Sequence, residues 1–398
     1  MSVVAGLRHP ASKRVLHSVL GFGAASETFI VDRMFELERL GWEAWVGANW
    51  IVDEPVYEFP PPERVIAPRP RDELMRRLSR RRSAREWWWL ERPIAKVKPA
   101  LIHAHFGWTG VKANGAAEHY GIPLAVGFHG YDATVYPHYG LDAHRDRAER
   151  SMPPGVYDEL FEKAACVFAT SRFIASKLRE LGCERDIDVV TSGIRLDRFP
   201  FRGPRPDAAS GDFRAVFVGR LVPYKGLDLA IRAIATLVDA GADAPTLTVV
   251  GEGPARAEYE GLAGELGIAD RIEFRGRQPR PAVLEALRAA DVLILASRTT
   301  PAGQAEGLGN VVKEALAVGL EIAISDNGGL RETMPPERLG ELVPEGDAAA
   351  LAARLDAIGA CRAEWPERAR SGRRWVEEAF DWRDLAPKIA TAYERVTA

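Results

Sequence analysis

The fold is decided by residues 213–251, where the segments FRAVFVG (213–219), GLDLAIRAIATLVDAG (226–241) and TLTVVG (246–251) follow one another. The outer two are short runs rich in β-branched and aromatic residues. The middle one has apolar residues at helical spacing and ends in glycine. A strand, a helix and a second strand in this order form a crossover unit whose two strands are parallel. The stretch therefore predicts a parallel sheet covered by helices.

The same alternation continues on both sides of this stretch. Apolar strands that alternate with helices are typical of a parallel sheet buried on both faces. The further expected strands are RVLHSVL (14–20), EAWVGA (43–48), ALIHAHF (100–106), PLAVGFH (123–129), CVFATS (166–171), DIDVVTSG (186–193), RIEFRG (271–276), DVLILAS (291–297) and EIAIS (321–325). The further expected helices are MFELERLG (34–41), KANGAAEHYG (112–121), ASKLRELG (175–182), AEYEGLAGELG (257–267), AVLEALRAA (282–290) and GNVVKEALAVG (309–319).

The alternation is interrupted once, at PFRGPRPDAASGD (200–212), which has three prolines and two glycines and no periodicity. Such a segment is typical of a linker. We therefore predict an α/β protein with two Rossmann-like, doubly wound domains in tandem, residues 1–199 and 213–375. A final helical segment, about 373–396, is amphipathic and is expected to pack across both domains.

Composition and charge exclude several classes of protein. The chain has 398 residues, of which 46% are apolar and 27% charged, with 36 glycines and 27 prolines. These values are those of a globular protein rather than of a disordered or collagen-like chain. The net charge of −3 provides no global basic field for nucleic acid. No window approaches the roughly 18 apolar residues of a membrane span.

The cysteines and the N-terminal residues bear on the cellular compartment. Cys166, Cys183 and Cys361 are odd in number and form no C-x-x-C pair. Buried free thiols in a reducing compartment are therefore favoured over a disulfide or zinc framework. Residues 13–26 have the rough outline of a signal peptide, but His17 and Ser18 interrupt the apolar stretch, and the segment is also typical of a first strand, Arg14 to Leu20, that leads into a glycine loop. The strand is preferred, and we expect a cytoplasmic protein.

The segment from Arg69 to Arg92 departs from the average charge. It contains nine arginines against four acidic residues, a local charge of +5, and it includes Trp87, Trp88 and Trp89. One interpretation is an interfacial helix that contacts the inner face of the cell membrane. The other is a solvated basic helix whose tryptophans pack on the sheet. Both remain open at this stage.

Two stretches in the second half have the composition of phosphate-binding turns. Gly219 follows a strand, and Arg220 and Lys225 precede a helix, an arrangement that suits a diphosphate. Gly251 and Gly253 follow the next strand, but Pro254 and a missing third glycine break the dinucleotide-binding pattern. Each stretch taken alone is also compatible with an ordinary surface loop.

The most specific stretch is Glu306-Gly-Leu-Gly-Asn-Val-Val-Lys-Glu314. Glu306 lies in a glycine-rich loop, and Glu314 lies on the helix that follows it. An eight-residue step is close to two helical turns, so the two carboxylates are expected on nearly one face. Carboxylates so placed can accept hydroxyl pairs from a sugar and a ribose. The helix N-terminus between them suits phosphate.

These motifs together resemble the family 4 retaining glycosyltransferases of GT-B fold. The resemblance rests on FVGRLVPYKGLD (217–228), VVGEGP (249–254), RIEFRG (271–276), EGLGNVVKEALAVGL (306–320) and NGGLRE (327–332). In the first half, SETFI (26–30), HAHFG (103–107), FHGYD (128–132) and TSGIRLDRF (191–199) are similar to members of the colanic-acid type that build bacterial surface polysaccharides. The motifs occur in the family's order over about residues 14–396.

The resemblance implies a role for particular residues. Arg220 and Lys225 would neutralise the donor diphosphate in place of a metal ion, and Glu306 would hold sugar hydroxyls. Glu314 would accept the ribose hydroxyls, and His129 would touch the donor sugar or its departing phosphate. The catalytic set is thus His129, Arg220, Lys225 and Glu306. The remaining donor-binding residues are Gly23 and Ala24 of the loop 21–25, Gly219, Gly251, Gly276, Arg277, Gly307, Leu308, Gly309, Asn310 and Glu314.

The chain departs from the family pattern at two places. Glu321 stands where members commonly have proline after Gly319-Leu320, which is expected to alter only the start of a strand. The first glycine loop, Gly-Phe-Gly-Ala-Ala, has fewer glycines than in many relatives. The resemblance also implies a C-terminal helix, about 376–398, that completes the first domain.

Metal sites are weakly indicated. Asp186 and Asp188 match the D-x-D of metal-dependent transferases but lead into a strand. His103 and His105 share one face of a strand, and His129 follows the next strand, yet no third ligand has a known spacing. We expect no bound metal and no cofactor.

The leading hypothesis is a retaining glycosyltransferase. Its substrates would be a nucleoside-diphosphate sugar, with UDP favoured and GDP next, and the hydroxyl of a glycan, lipid-linked or small-molecule acceptor. A nicotinamide-dependent dehydrogenase is disfavoured because an intact G-x-G-x-x-G is missing. A catalytically silent sugar- or nucleotide-binding protein on the same fold stays as the alternative.

Overall fold

A computed structural model describes residues 13–23, 27–52, 59–69, 87–139, 152–205 and 212–398 of the chain. The described residues divide into two compact units, each with one parallel sheet. Unit 1 comprises the described residues up to Gly193 together with Trp382–Ala398, and unit 2 is Ile194–Asp381.

Unit 1 contains a seven-stranded parallel sheet with the order β3-β2-β1-β4-β5-β6-β7. Its central strands are almost wholly buried, including the two histidines of β4, as expected for a sheet covered on both faces. The strands are β1 (Arg14–Phe22), β2 (Glu43–Ile51), β3 (Val65–Ile66), β4 (Leu101–His105), β5 (Leu124–Phe128), β6 (Cys166–Ala169) and β7 (Ile187–Val189). The helices are α1 (Thr28–Arg39), α2 (Trp88–Val97), α3 (Gly107–Tyr120), α4 (Tyr131–Thr134), α5 (Tyr136–Tyr139), α6 (Asp158–Lys163) and α7 (Arg172–Glu180).

Unit 2 repeats this architecture with a five-stranded parallel sheet of order β10-β9-β8-β11-β12. All the strands expected from sequence are present, within a few residues at each end. The strands are β8 (Arg214–Val218), β9 (Thr246–Val250), β10 (Ile272–Gly276), β11 (Val292–Leu295) and β12 (Glu321–Ile324). The helices are α8 (Leu227–Asp239), α9 (Arg256–Glu265), α10 (Arg280–Ala289), α11 (Asn310–Val318), α12 (Ala348–Ala360) and α13 (Trp365–Phe380).

The final helical segment consists of two helices rather than one. α13 belongs to unit 2, and α14 (Trp382–Thr397) belongs to unit 1. Asp381 between them is extended, with ψ of 123°, and forms a parallel bridge with Ile194. The change of unit therefore occurs at Asp381, whereas the sequence indicated a helix from about 376.

The described part of the expected linker is ordered by contacts within unit 2. The backbone N–H groups of Arg202 and Gly203 donate to the Val318 carbonyl. Arg205 forms a buried bidentate ion pair with Asp291, with N···O distances of 2.9 and 3.0 Å. Residues 206–211 lie outside the described residues. Residues 201–205 are thus packed chain, although they lack the periodicity of a helix or strand.

The tryptophans of the basic segment contribute to the core of unit 1. Trp89 is buried, and Trp87 and Trp88 pack against the same cluster. This placement favours the packing interpretation for the tryptophans, while residues 70–86 of the segment lie outside the described residues. Within the described ranges, no helix has both the length and the apolar character needed to cross a membrane.

The three cysteines are free, as expected, but only two of them are buried. Cys166 lies on β6 and Cys183 follows α7, both in the interior, whereas Cys361 is exposed at the end of α12. The expectation of buried thiols is therefore wrong for Cys361.

Candidate functional site

The strand order of unit 2 places a ligand site at one edge of its sheet. The order reverses between β8 and β11, and in open parallel sheets ligands bind outside the carboxyl ends of the strands at such a point. The loop after β8 carries Gly219, Arg220 and Lys225, and the loop after β11 carries Ser297 and Glu306. Residues of the stretch 219–225 and of the stretch 306–314, which lie far apart in the sequence, therefore meet at this edge.

A buried ion pair forms the centre of this edge. Lys225 Nζ donates to Glu306 Oε1 at 2.5 Å, and Ser297 Oγ donates to the same oxygen at 2.8 Å. The side chains of Lys225 and Glu306 are only 15% and 7% exposed. Burial would lower the pKa of Lys225, but the Glu306 carboxylate and the Tyr224 ring keep that pKa above its usual value. Lys225 is therefore a fixed cation at neutral pH.

The backbone of Glu306 is held as firmly as its side chain. Its N–H donates to Asn327 Oδ1 at 2.9 Å, and its carbonyl accepts the Gly329 N–H at 2.8 Å. Gly328, with φ of +52°, packs so closely that a Cβ there would lie 2.3 Å from the Glu306 carbonyl oxygen. The loop thus has little freedom to move Glu306 without breaking this contact with residues 327–329.

Glu306 and Glu314, the two glutamates separated by seven residues, do not lie on one helix. The expectation that they share a helical face is therefore wrong. α11 begins only at Asn310, after Gly309 in a left-handed conformation with φ of +80°. Glu306 is in the preceding loop, while Glu314 lies on α11 and faces Arg280 of α10 at 3.9 Å. The N-cap residue is Gly309, which has no side chain to cap the start of α11. Its first backbone N–H groups therefore remain suited to an anion.

Three glycines connect the loops after β8, β9 and β10. The Gly219 N–H donates to the Val250 carbonyl and the Gly251 N–H donates to the Gly276 carbonyl. A Cβ on Gly251 would lie 1.8 Å from the Gly219 carbonyl oxygen, so these turns require glycine for close backbone approach.

The two arginines predicted for this edge lie at its surface. The Arg220 guanidinium lies over the Tyr224 ring and donates to the Tyr224 hydroxyl at 3.3 Å. Arg277 is exposed.

Unit 1 places His129 directly after β5, between aromatic rings. Its imidazole lies 4.7 Å from the ring of Phe29 and 4.9 Å from that of Phe106. Phe106 has a φ of +72°, which is uncommon for a residue other than glycine and is frequent at functional sites. Of the loop 21–25, Gly23 is described, with φ of +105°, whereas Ala24 lies outside the described residues.

Asp132 fixes the loop that carries His129, and sequence reasoning assigned it no role. Its buried carboxylate accepts the backbone N–H groups of Gly107, His129 and Gly130 at 2.8–2.9 Å. Burial nevertheless raises its pKa to about 6. The signal was the short spacing from His129 to Asp132, which favours a side chain that binds its own turn. Ser297 and Asn327 were also missed, because no local pattern marks them.

Four histidines lie in one stacked row in unit 1. His17 and His103 are register partners on β1 and β4, and His105 lies two residues further along the same face. The ring centroids of His103 and His105 are 4.5 Å apart, and those of His105 and His129 are 5.9 Å apart. Nitrogens of His17, His103 and His105 lie within 4.8 Å of one another, a metal-like grouping that sequence spacing did not show because His17 is on a different strand.

We predict that this histidine row makes the protein acid-labile. Burial, and then the charge of Arg33, lowers the pKa of His17 to about 3. Burial, together with Arg33 and the neighbouring histidines, also lowers the pKa values of His103 and His105. Below pH 6.5 the unfolded chain binds protons that the folded chain does not, so stability falls as the pH falls. At pH 5 the expected loss from His17 alone is about 2 kcal/mol.

Urea unfolding at pH 7 and at pH 5 measures this effect. His17→Gln should reduce the difference between the two pH values, whereas the exposed His119→Gln on α3 should leave it unchanged. An equal unfolding free energy of the wild type at both pH values would contradict the prediction.

Comparisons with known proteins identify the family. Residues 26–198 match the family model Glycosyltransferase Family 4, and residues 204–379 match that of Glycosyl transferases group 1. AmsK of Erwinia amylovora, an amylovoran biosynthesis glycosyltransferase, is 30% identical over 74% of this chain and 70% of its own. This chain is a family 4 glycosyltransferase. WcaL of Escherichia coli K12, whose name provisionally places it in colanic acid biosynthesis, is 28% identical to the transferase over 95% of this chain and 94% of its own.

The fold of the transferase is shared with solved structures. HepE of Anabaena, crystallised with UDP and glucose, superposes with a TM-score of 0.73 over 96% of this chain and 99% of its own, at 17% identity. The predicted two-domain α/β architecture of GT-B type is thereby confirmed.

Proposed function

We propose that the transferase moves a sugar from a nucleoside-diphosphate sugar to an acceptor hydroxyl, with retention of anomeric configuration and without a metal ion. The observation that carries this proposal is the buried Lys225–Glu306 pair beside the start of α11. A fixed ammonium, a fixed carboxylate and the start of a helix at a switch point would together bind a diphosphate and a sugar.

The diphosphate would lie against Arg220, Lys225 and the N-terminal N–H groups of α11. When the bond between sugar and phosphate breaks, negative charge develops on the phosphate oxygen. Cations and amide dipoles already in place stabilise that charge without reorganisation. Because these groups come from the chain itself, the proposed chemistry needs no metal ion.

Two carboxylates would bind the sugar and the ribose of the donor. Glu306, fixed through its backbone and by Ser297, would accept hydroxyls of the sugar. Glu314 on α11 would accept the ribose hydroxyls, and the turn at Gly276 and Arg277 would lie near the base. UDP is favoured because HepE, with the same fold, was crystallised with UDP and glucose. GDP stays as the next choice.

The acceptor side belongs to unit 1. His129, held between Phe29 and Phe106 and oriented through Asp132, would touch the donor sugar or its departing phosphate. In the proposed mechanism the acceptor hydroxyl attacks from the side on which the phosphate leaves, which gives retention. AmsK and WcaL are named for polysaccharide biosynthesis, which supports a glycan or lipid-linked acceptor. A cytoplasmic location stays part of the proposal.

A thermal-shift panel of UDP, GDP, ADP, dTDP and NAD, each with and without EDTA, tests the donor proposal. A ligand that binds only the folded chain raises the free energy of unfolding by about 2.7 kcal/mol at a hundredfold excess over Kd. We expect UDP to raise the Tm most, to the same extent with EDTA, and NAD to have no effect.

The other outcomes of the panel are equally informative. A shift that disappears with EDTA would overturn metal independence, and a larger shift with GDP would replace UDP as the donor nucleotide. No shift with any diphosphate would favour a catalytically silent protein. For an active enzyme, NMR of the glycosylated product then shows whether the anomeric configuration is retained.

A further inference from the structure

Unit 1 contains a buried cation for which the described residues provide no counter-ion. Arg33 of α1 is 1% exposed, and its Nε and Nη1 have no hydrogen-bond partner among the described residues. Its guanidinium lies 5.5 Å from the ring of Trp382, and within the described ranges no carboxylate forms an ion pair with it. A buried charge without a partner is costly, so such a group requires compensation.

Other unpartnered nitrogens converge on the same place. Gly127 of β5 has no side chain, and the point where its Cβ would lie is 3.2 Å from His103 Nε2, 3.3 Å from His129 Nε2 and 3.5 Å from Arg33 Nη1. All three nitrogens are buried and have no partner among the described residues. A guanidinium and two imidazoles from α1, β4 and the loop after β5 therefore converge within 3.5 Å of one point over Gly127, where that residue places no side chain.

The protons in this space favour a negatively charged ligand. The Tyr393 hydroxyl of α14 is bonded to His103 Nδ1, and donation to Nδ1 leaves the ring proton of a neutral imidazole on Nε2. His103 Nε2 and Arg33 Nη1 are then both donors. A divalent metal ion on His17, His103 and His105 would instead lie close to the Arg33 cation, and Arg33 Coulombically opposes a positive charge on each of these rings.

Among the described residues, no carboxylate acts on Arg33, and the other titratable groups beside it are neutral. Burial raises the pKa of Tyr393, so its hydroxyl stays neutral, and burial lowers the pKa values of the histidines, so they stay neutral as well. The net charge is therefore that of Arg33 alone. Arg33 from α1, His103 from β4 and His129 from the loop after β5 lie against this point. Their titratable neighbours among the described residues are His17 from β1, His105 from β4 and Tyr393 from α14.

We propose that Arg33, His103 and His129 bind a small monovalent anion of the halide class over Gly127, inside unit 1. The anion accepts the N–H groups of Arg33 and His103 and neutralises the guanidinium. It thereby stabilises the packing of α1 and α14 against the sheet and fixes the charge next to His129. The inference does not depend on the proposed donor or acceptor, because its readouts are stability and a bound ion.

The first test compares the Tm of the nucleotide-free protein in sodium chloride and in sodium gluconate at equal ionic strength. We expect a saturable rise of about 2–4 °C in chloride, as for a ligand at severalfold excess over Kd. Arg33→Met should abolish the difference between the two salts. Arg39→Met, at the exposed end of α1, is the matched control and should retain it.

The second test is direct and needs no variant. A crystal of the wild-type protein grown or soaked in bromide should show an anomalous peak within about 3.5 Å of Arg33 Nη1 and His103 Nε2. Equal Tm values in chloride and gluconate, a chloride effect that persists in Arg33→Met, or a bromide-soaked crystal without this peak would each overturn the proposal. Stabilisation by phosphate but not by chloride would also overturn it, because the assigned ligand is a halide.

Discussion

Glu306→Gln is expected to lower kcat by about 10³-fold. Glutamine keeps the size of the side chain and can still accept the Ser297 hydroxyl, but it removes the charge that holds Lys225 Nζ at 2.5 Å. In the proposed reaction Lys225 faces the phosphate where charge develops, and Glu306 holds the sugar. Both contributions to the transition state would be weakened by the same change.

The substitution must be separated from a loss of folding. The free energy of unfolding and the Kd for UDP are measured alongside kcat, and Glu258→Gln on the exposed face of α9 is the control for removal of one negative charge. Lys225→Ala should reduce kcat by a similar factor. The double variant should be little worse than either single one, because the two residues act as a unit. A kcat within tenfold of wild type in Glu306→Gln would refute the role of the pair.

The sequence predicted site residues that lie in local patterns and missed those whose contacts join distant parts of the chain. Lys225 and Glu306 were predicted as site residues because each lies in a local pattern. Lys225 follows a glycine turn after a strand, and Glu306 lies in a glycine-rich loop before a helix. Ser297 and Asn327, which hold the side chain and backbone of Glu306, follow β11 and β12. No spacing rule connects residues at the ends of different strands. Only the strand order of the sheet brings them together.

The boundary between α13 and α14 is a second feature that local sequence patterns do not predict. α13 and α14 are both amphipathic, and the one residue between them, Asp381, is neither glycine nor proline; the proline of this segment, Pro387, lies inside α14. A single long helix is therefore the natural prediction. The helix ends at Phe380 because Asp381 pairs with Ile194, a residue 187 positions earlier. A helix boundary set by such a tertiary bridge has no local signal in the sequence.

Glu321, which stands where family members commonly have proline, forms ion pairs in the interior of unit 2. From the sequence it was expected to alter only a strand start, and β12 does begin there. Its side chain, 2% exposed, also binds Arg338 at 2.7 Å and Arg368 at 3.0 Å, and Arg354 lies 3.7 Å away. Glu341 contacts the same three arginines. Three arginines from separate elements thus share two carboxylates.

We therefore predict that Glu321→Gln destabilises the protein by about 3–5 kcal/mol, because it leaves the buried Arg338 and the half-buried Arg354 and Arg368 with one carboxylate instead of two. Urea unfolding at pH 7 measures the loss. The matched control is Glu367→Gln on α13, which removes a carboxylate that pairs with arginines at the surface and should cost less than about 1 kcal/mol.

Removing a cation together with the carboxylate tests whether charge imbalance is the cause. Glu321→Gln combined with Arg368→Met leaves Arg338 and Arg354 with Glu341 and should recover a large part of the lost stability. If instead the two substitutions were simply additive, the loss would come from packing at the start of β12. In that case Glu321 would have the modest role that its position in the sequence first indicated.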